Sequence, residues 1–220
     1  MKNVNTMNSD QLLEEAVMAI EDQQYARALH LLNVYLLVYP DHVDARLQKG
    51  LCYLYLNEAP KARFMFDQVL EEAENHAGAL ACYAEYYKLM MDYETASHYI
   101  SAALAETGEH AAYHRLAAEI CYLNQDLDSA YNLINRAIVI SPFREELYYW
   151  RALILKGFKK MQVAMNDINR ALALNPRYTE ALKLRAKIRL LIGTFEAAHK
   201  DLRLAQYLEN RLPIPVQNVA

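Results

Sequence analysis

The sequence predicts an all-α protein, a solenoid of antiparallel helix hairpins, and three observations carry that reading. The octapeptide NRAIVISP at residues 135–142 returns as NRALALNP at 169–176, and a looser copy, NVYLLVYP, stands at 33–40, so the starts differ by multiples of 34. Cutting the chain every 34 residues from Ser9 gives six blocks without insertions, and small residues hold two places in every block. Five Gly and six Pro among 220 residues are too few for the many turns of a β-rich chain. An apolar fraction of 54% is ample for a sizeable core.

The blocks are 9–42, 43–76, 77–110, 111–144, 145–178 and 179–212, with an N-terminal extension over 1–8 and a Pro-containing tail over 213–220. Each holds two apolar runs of helical period around a short polar break, as in ALACYAEYYKLMMDYETASHYISAAL, where the break falls at Met91 and Asp92. The eighth place reads Ala16, Gly50, Ala84, Ala118, Ala152, Ala186, and the twentieth reads Ala28, Ala62, Ala96, Ala130, Ala164, Ala198. Small residues on both helices let the two backbones approach to the short end of the usual interaxial range of roughly 8–10 Å. Larger apolar residues follow at the twenty-fourth place, from Leu32 and Phe66 through Ile100, Ile134 and Ile168 to Leu202. One hairpin cannot bury these alone, so each should pack on the next.

In chain order, the first block is stopped by Pro40, since Pro lacks a backbone N–H. The second has Glu74 at that place, which predicts a less sharp corner. The third ends at Gly108, which can take the left-handed conformation, the fourth and fifth at Pro142 and Pro176, and the sixth at Asn210. Lys200, Asp201 and Arg203 predict that the last helix is its own polar cap. Two Pro forbid a helix in the tail, which is expected either to stand alone or to lie as an extended strand in a groove.

These places resemble the tetratricopeptide repeat family, with its small residues at eight, twenty and twenty-seven (here Ala103, Ala137, Ala171, Ala205) and Pro at thirty-two. The resemblance covers residues 9–212 and implies a right-handed superhelical solenoid. One departure is the seventh place, usually Leu in the family, which reads Glu15, Lys49, Tyr83, Ala117, Arg151, Arg185.

Signs of chemistry are lacking. GxGxxG, GxxxxGK[ST], HExxH and GxSxG are all missing, so no enzyme activity and no cofactor are expected. His110 and His114 are four apart, but no general-base Glu accompanies them. His42, His76 and His110 share the last place of three blocks, yet equivalent points of stacked hairpins lie on the order of 10 Å apart, too far to share a metal. They are expected along an exposed edge. Cys52, Cys82 and Cys121 form no CxxC pair and suit a reducing compartment. No apolar run suits a membrane span, and MKNVNTMNSD lacks a signal-peptide pattern, so a cytoplasmic location without membrane insertion is expected. Seventeen Tyr fit core places better than base stacking, and the net charge of −4 argues against nucleic acid. That charge is uneven: residues 1–110 carry 7 Lys/Arg against 17 Asp/Glu, and residues 111–220 carry 16 against 10.

The resemblance places the first helix of each hairpin on the inner surface. There Leu47, Leu51, Leu54 and Tyr55 form an apolar end, Arg115, Tyr122 and Tyr149 the middle, and Lys156, Lys183 and Lys187 a basic end. Leaving four large apolar side chains in water is costly, so this wall is expected to bind another protein or a peptide segment, or to be covered by a second copy in a homo-oligomer. The Lys and Asn pattern of repeat proteins that clamp heat-shock chaperone carboxylates is not matched. The expected function is therefore a non-catalytic scaffold or chaperone. The alternatives are a structural protein that self-assembles through its acidic and basic halves, and a chaperone of bacterial type III secretion, similar in groove character.

Overall fold

The computed structural model describes residues 8–210, so the start of the N-terminal extension and the tail lie outside the described residues. Twelve helices and no strand occur among the described residues. They divide into two compact units, Met1–Gly108 and Glu109–Ala220. The first holds α1 (Ser9–Glu21), α2 (Tyr25–Val38), α3 (Val43–Tyr55), α4 (Ala59–Glu72), α5 (Ala77–Leu89) and α6 (Tyr93–Thr107). The second holds α7 (Ala111–Leu123), α8 (Leu127–Ile140), α9 (Glu145–Gly157), α10 (Met161–Leu174), α11 (Thr179–Leu191) and α12 (Phe195–Glu209). Odd and even helices pair as hairpins, and within each unit every even helix also packs on the odd helix that follows it.

The hairpins close because their facing places are small. Ala16, Ala84, Ala118, Ala152 and Ala186 on the odd helices and all six alanines at the twentieth place have no solvent exposure. Gly50 is the tightest case: a Cβ built there would lie 2.4 Å from Phe66 Cε1, so the ring occupies the space that a methyl group would need. At the twenty-fourth place, Leu32, Phe66, Ile100, Ile134 and Ile168 are at most 2% exposed.

Every hairpin turns through one left-handed residue at the fifteenth place: Gln23, Asn57, Met91, Gln125, Lys159 and Gly193, with φ from 58° to 82°. The next residue returns its N–H to a carbonyl five residues back, Asp92 to Tyr87 at 2.9 Å and Thr194 to Arg189 at 2.8 Å, for example. This is the Schellman arrangement, which satisfies the last carbonyls of a helix from the backbone itself. A non-glycine residue pays roughly 1–2 kcal/mol for that conformation, and five of the six turns carry one.

Helix starts are capped by side chains that the repeat supplies at fixed places. The Asn8 side chain accepts from Gln11 N–H at 2.8 Å, and the Gln11 side chain accepts from Asn8 N–H at 3.3 Å, a reciprocal capping box. His42 and His76, expected merely to line an edge, cap α3 and α5: each Nδ1 accepts from the third N–H of its helix, at 3.2 and 3.3 Å. Asp92 and Asp126 do the same for α6 and α8, both at 3.1 Å, and the Thr95 and Ser129 side chains, together with those backbone bonds, hold their carboxyls below the usual carboxylate range. The corner at Glu74 is not less sharp. Helix α4 ends at Glu72 and α5 begins at Ala77, the same spacing as where Pro follows, because Ala73 turns extended and accepts from His76 N–H at 3.0 Å.

The polar seventh place has a structural role too. The Arg151 guanidinium forks onto Asp167 of its own hairpin at 2.8 and 2.7 Å and reaches Asn135 of the preceding one at 2.8 Å. Arg185 repeats this one period later with Asp201 and Asn169. Asp167 and Asp201 are 6% and 4% exposed, so these are bidentate, largely desolvated pairs rather than surface decorations. Asp201 therefore faces inward and does not belong to a polar cap.

His114 is 4% exposed, and neither ring nitrogen has a hydrogen-bond partner among the described residues. Burial holds its imidazole below the ordinary value of 6.5; Arg136 and His110 push the same way, and Glu109 opposes them. The unfolded chain then takes up this proton more readily than the folded one, so stability is intact at neutral pH and declines as pH falls below 6.5. His114→Phe should flatten that slope in urea titrations at pH 7.5 and 5.5. Gly50→Ala, which drives a methyl group into Phe66, and Ala130→Leu, which overpacks a closed hairpin, should each lower the unfolding free energy by roughly 1–3 kcal/mol. Met91 is exposed and has φ 61°, so Met91→Gly should instead raise it by up to about 1 kcal/mol, read as a higher denaturant midpoint at unchanged slope.

Candidate protein-binding faces

Within the first unit α3 touches α5, and within the second α7 touches α9, so the exposed sides of each pair form a shared face. In the first unit this face is less apolar at its surface than the sequence suggests. Leu47 and Leu54, expected on the open wall, are 5% and 3% exposed. The reason for Leu47 is local: its Cδ1 lies 3.0 Å from where a Cβ of Gly78 would stand, so the glycine on α5 makes room for the leucine between the two helices. Both leucines join the core built around Phe66, Ala79 and Tyr83. Leu51 is half-buried, and Tyr55 is 37% exposed.

Tyr55 is held from two sides. Its ring stacks on Tyr25 with centroids 4.8 Å apart, and its hydroxyl donates to the Glu85 carboxylate, which also accepts from Lys88 Nζ at 2.8 Å. Glu85 and Lys88 are each 8% exposed, so the pair is nearly desolvated and the ammonium compensates the buried carboxylate. This Tyr–Tyr–Glu–Lys chain links α2, α3 and α5 and fixes the orientation of the Tyr55 ring. The stacking partner Tyr25 was expected to pack between hairpins, at the larger apolar seventeenth place, and not to take part in the binding face.

The face of the second unit is aromatic and charged. On α7, Arg115 pairs with Glu119 at 2.9 Å, one turn on. Tyr122 meets the edge of Trp150 at 6.1 Å, Trp150 meets Tyr149 at 6.0 Å, and Tyr149 tilts against Tyr178 at 5.3 Å. Sequence reading named Tyr122 and Tyr149 but missed Trp150 and Tyr178, which sit at the sixth and last places of their blocks. Burial raises the hydroxyl pKa of both Tyr149 and Tyr178, so both stay neutral. Lys156 is half-buried and Lys187 exposed. Lys183 already pairs with Glu209 of α12, so it does not stand ready beside Lys187 as a second cation for an acidic group.

Elsewhere in the second unit a depression of about 280 Å³ is lined by Glu109, His110, Arg115, Arg144 and Glu146, a mixture of signs that favours no particular small molecule. His110 tilts against Tyr113 with ring centroids 4.0 Å apart, while His114 turns into the core, so the two histidines form no common site. Among the described residues no group of His, Cys, Asp or Glu could hold a metal ion, and no helix is long and apolar enough to cross a membrane.

Comparison with known proteins agrees with this architecture. A tetratricopeptide repeat protein of Parabacteroides merdae is 22% identical, with a TM-score of 0.69 over 93% of this chain and 80% of its own. A thermophilic tetratricopeptide repeat protein of Thermus thermophilus is 16% identical, with a TM-score of 0.73 over 83% of this chain and 100% of its own. YrrB, described as a tetratricopeptide repeat protein with an unusual peptide-binding site, is 14% identical, with a TM-score of 0.55 over 82% of this chain and 93% of its own. Such identities speak for the fold alone. A search of curated proteins found no match. The tetratricopeptide repeat model matches residues 13–77 and 91–145, more than half of the chain, and with hairpins beginning every 34 residues from Ser9 this chain belongs to the tetratricopeptide repeat family.

Proposed function

We propose that the six repeats over 9–212 serve as a non-catalytic binding module that takes an extended or helical segment of another protein on the odd-helix faces. The fold is in general a protein-interaction scaffold. The observation that carries the narrower reading is the half-buried aromatic row Tyr122, Trp150, Tyr149 and Tyr178, with Lys156 on α9 and Lys187 on α11, odd helices of the same unit. Rigid aromatic rings with a wet edge concentrate binding energy, and neighbouring ammonium groups select acidic segments. In the first unit the same role falls to Leu51 and the clamped Tyr55; Leu47 and Leu54 support them from the core. The peptide-binding site in YrrB's description supports the class of ligand. A chaperone that holds an extended segment of its client is the narrower form of this reading.

The uneven charge favours a second reading, in which acidic and basic halves of different copies associate. Rising salt separates the two: ion-driven assembly weakens as the Debye length shrinks from about 10 Å at 0.1 M to about 3 Å at 1 M, whereas aromatic capture persists.

The test is selection from a phage-displayed library of random 16-residue peptides on immobilised protein. Enriched peptides should carry aromatic or aliphatic residues beside Asp or Glu. Tyr149→Ala should weaken them at least tenfold, about 1.4 kcal/mol, and Lys187→Glu by a similar factor, with melting curves little changed. Leu51→Asp should weaken binding in the first unit while leaving the fold intact, whereas Leu54→Asp should unfold its hairpin. Absence of enrichment, or peptides that bind all variants equally, would sink the proposal.

A further inference from the structure

The face of the first unit extends past Tyr55, and the charge around the extension fixes what can dock there. The thirteenth place of the first three blocks reads Glu21, Tyr55 and Leu89, all exposed, Tyr55 by 37% and Leu89 by 40%. Leu89 lies one period after Tyr55 on α5, the helix that α3 touches. It also stands one turn after Glu85, whose carboxylate accepts from the Tyr55 hydroxyl. Met90 follows and is 51% exposed. The first hairpin joins the same edge through Tyr25, which stacks on Tyr55 with centroids 4.8 Å apart and comes three residues after Asp22. Tyr55, Leu89 and Met90 thus line an apolar edge along the hairpin turns, with the exposed carboxylates of Glu21 and Asp22 at its margin.

Those carboxylates sit where a helix least tolerates them. Glu21 closes α1 and Asp22 is its C-cap, at the end where aligned peptide dipoles leave partial negative charge, and the last turn of α1 holds no basic residue. In the second unit α9 and α11 follow the usual preference and end with Lys156 and Arg189. Cations elsewhere in the first unit are committed. Among its described residues five of the six Lys and Arg are in ion pairs with other carboxylates, and the sixth, Lys49, lies 6.0 Å from the centroid of the Tyr53 ring. The edge therefore combines apolar groups in water with negative charge that no cation of this unit matches. A segment that answers both carries Lys or Arg beside aliphatic residues. An acidic segment of the kind expected near Lys187 is repelled, and a neutral one desolvates the carboxylates without compensation.

On the reading that the odd-helix faces bind protein segments, we propose that this edge of the first unit takes a cationic, aliphatic segment of a partner protein. Its apolar side chains lie on Tyr55, Leu89 and Met90, and its ammonium or guanidinium groups meet Glu21 and Asp22. The first unit then selects the sign of charge opposite to that selected by the second. Long-range attraction speeds the encounter, and apolar contact holds the complex. The Tyr25–Tyr55–Glu85 chain keeps the central ring in place beforehand, so little freedom is lost on docking.

The test uses the full-length chain and three fluorescein-labelled peptides, four copies each of Leu-Lys-Lys-Leu, Ser-Lys-Lys-Ser and Leu-Glu-Glu-Leu, with binding read by fluorescence anisotropy. The first should bind at least tenfold tighter than the second, which lacks the aliphatic groups. Its affinity should fall about tenfold in a charge variant (Glu21→Lys, Asp22→Lys) and in an apolar variant (Leu89→Ser, Met90→Ser). Since the charge variant places cations at the C-terminus of α1, it should melt no lower than the unchanged chain, so its loss of binding is not loss of fold. Raising salt from about 0.05 M to 0.5 M should weaken the Leu-Lys-Lys-Leu peptide several-fold. Equal affinity of that peptide for the charge variant and the unchanged chain overturns the proposal. A dimer in light scattering that the charge variant dissolves also overturns it, and makes the basic half of a second copy the occupant. If only the Leu-Glu-Glu-Leu peptide binds, and Tyr149→Ala weakens it, this proposal falls while the reading of the odd-helix faces stands; if no peptide of either sign binds, both fall.

Discussion

The close approach of two helices through alanine and glycine is the constraint on which the rest of this molecule depends. With methyl groups or less at the eighth and twentieth places, the backbones of a hairpin come near enough that no larger side chain fits between them. Every bulky apolar residue is then displaced to the outer sides of the hairpin, where only another hairpin can shelter it. Stacking follows from that displacement. So does the layer of odd helices in each unit, because the even helices take up the contacts on both their flanks.

Much of this was written plainly in the sequence, since steric exclusion leaves a regular trace. Alanine in eleven places out of twelve, with Gly50 in the twelfth, cannot be mistaken for drift, and the helix starts at Ser9, Val43, Ala77, Ala111, Glu145 and Thr179 follow from counting. Hydrogen-bonding roles left a weaker trace. His42 and His76 cap helices with Nδ1, a job that Asn or Asp performs elsewhere, so residue type did not announce it. The arginines at the seventh place looked like departures from a pattern until Asp167 and Asp201 were seen across the groove from them.

The candidate face was legible only in part, for a reason that lies in Gly78. Sequence position fixes which side of a helix a residue leaves, but not whether its neighbour yields space. The missing side chain on α5 draws Leu47 inward, and Leu54 also joins that core, leaving Leu51 and the ring of Tyr55 to meet a partner. Conversely Trp150 and Tyr178 fall at places that carry no binding expectation, yet they meet Tyr149 because aromatic edges and faces attract at the distances seen. Electrostatics separates the two faces further: a desolvated Glu85–Lys88 pair stiffens one, while the other carries half-buried Lys156 and exposed Lys187.

The hairpin turns have a consequence for how such a chain can vary. Because the backbone alone supplies their hydrogen bonds, the residue at the fifteenth place is relieved of any side-chain duty, and Gln, Asn, Met, Lys and Gly all occupy it. All six are exposed. They form a set of equivalent stations, one per repeat, at which a spectroscopic label or an inserted loop can be carried without touching either a core or a binding face.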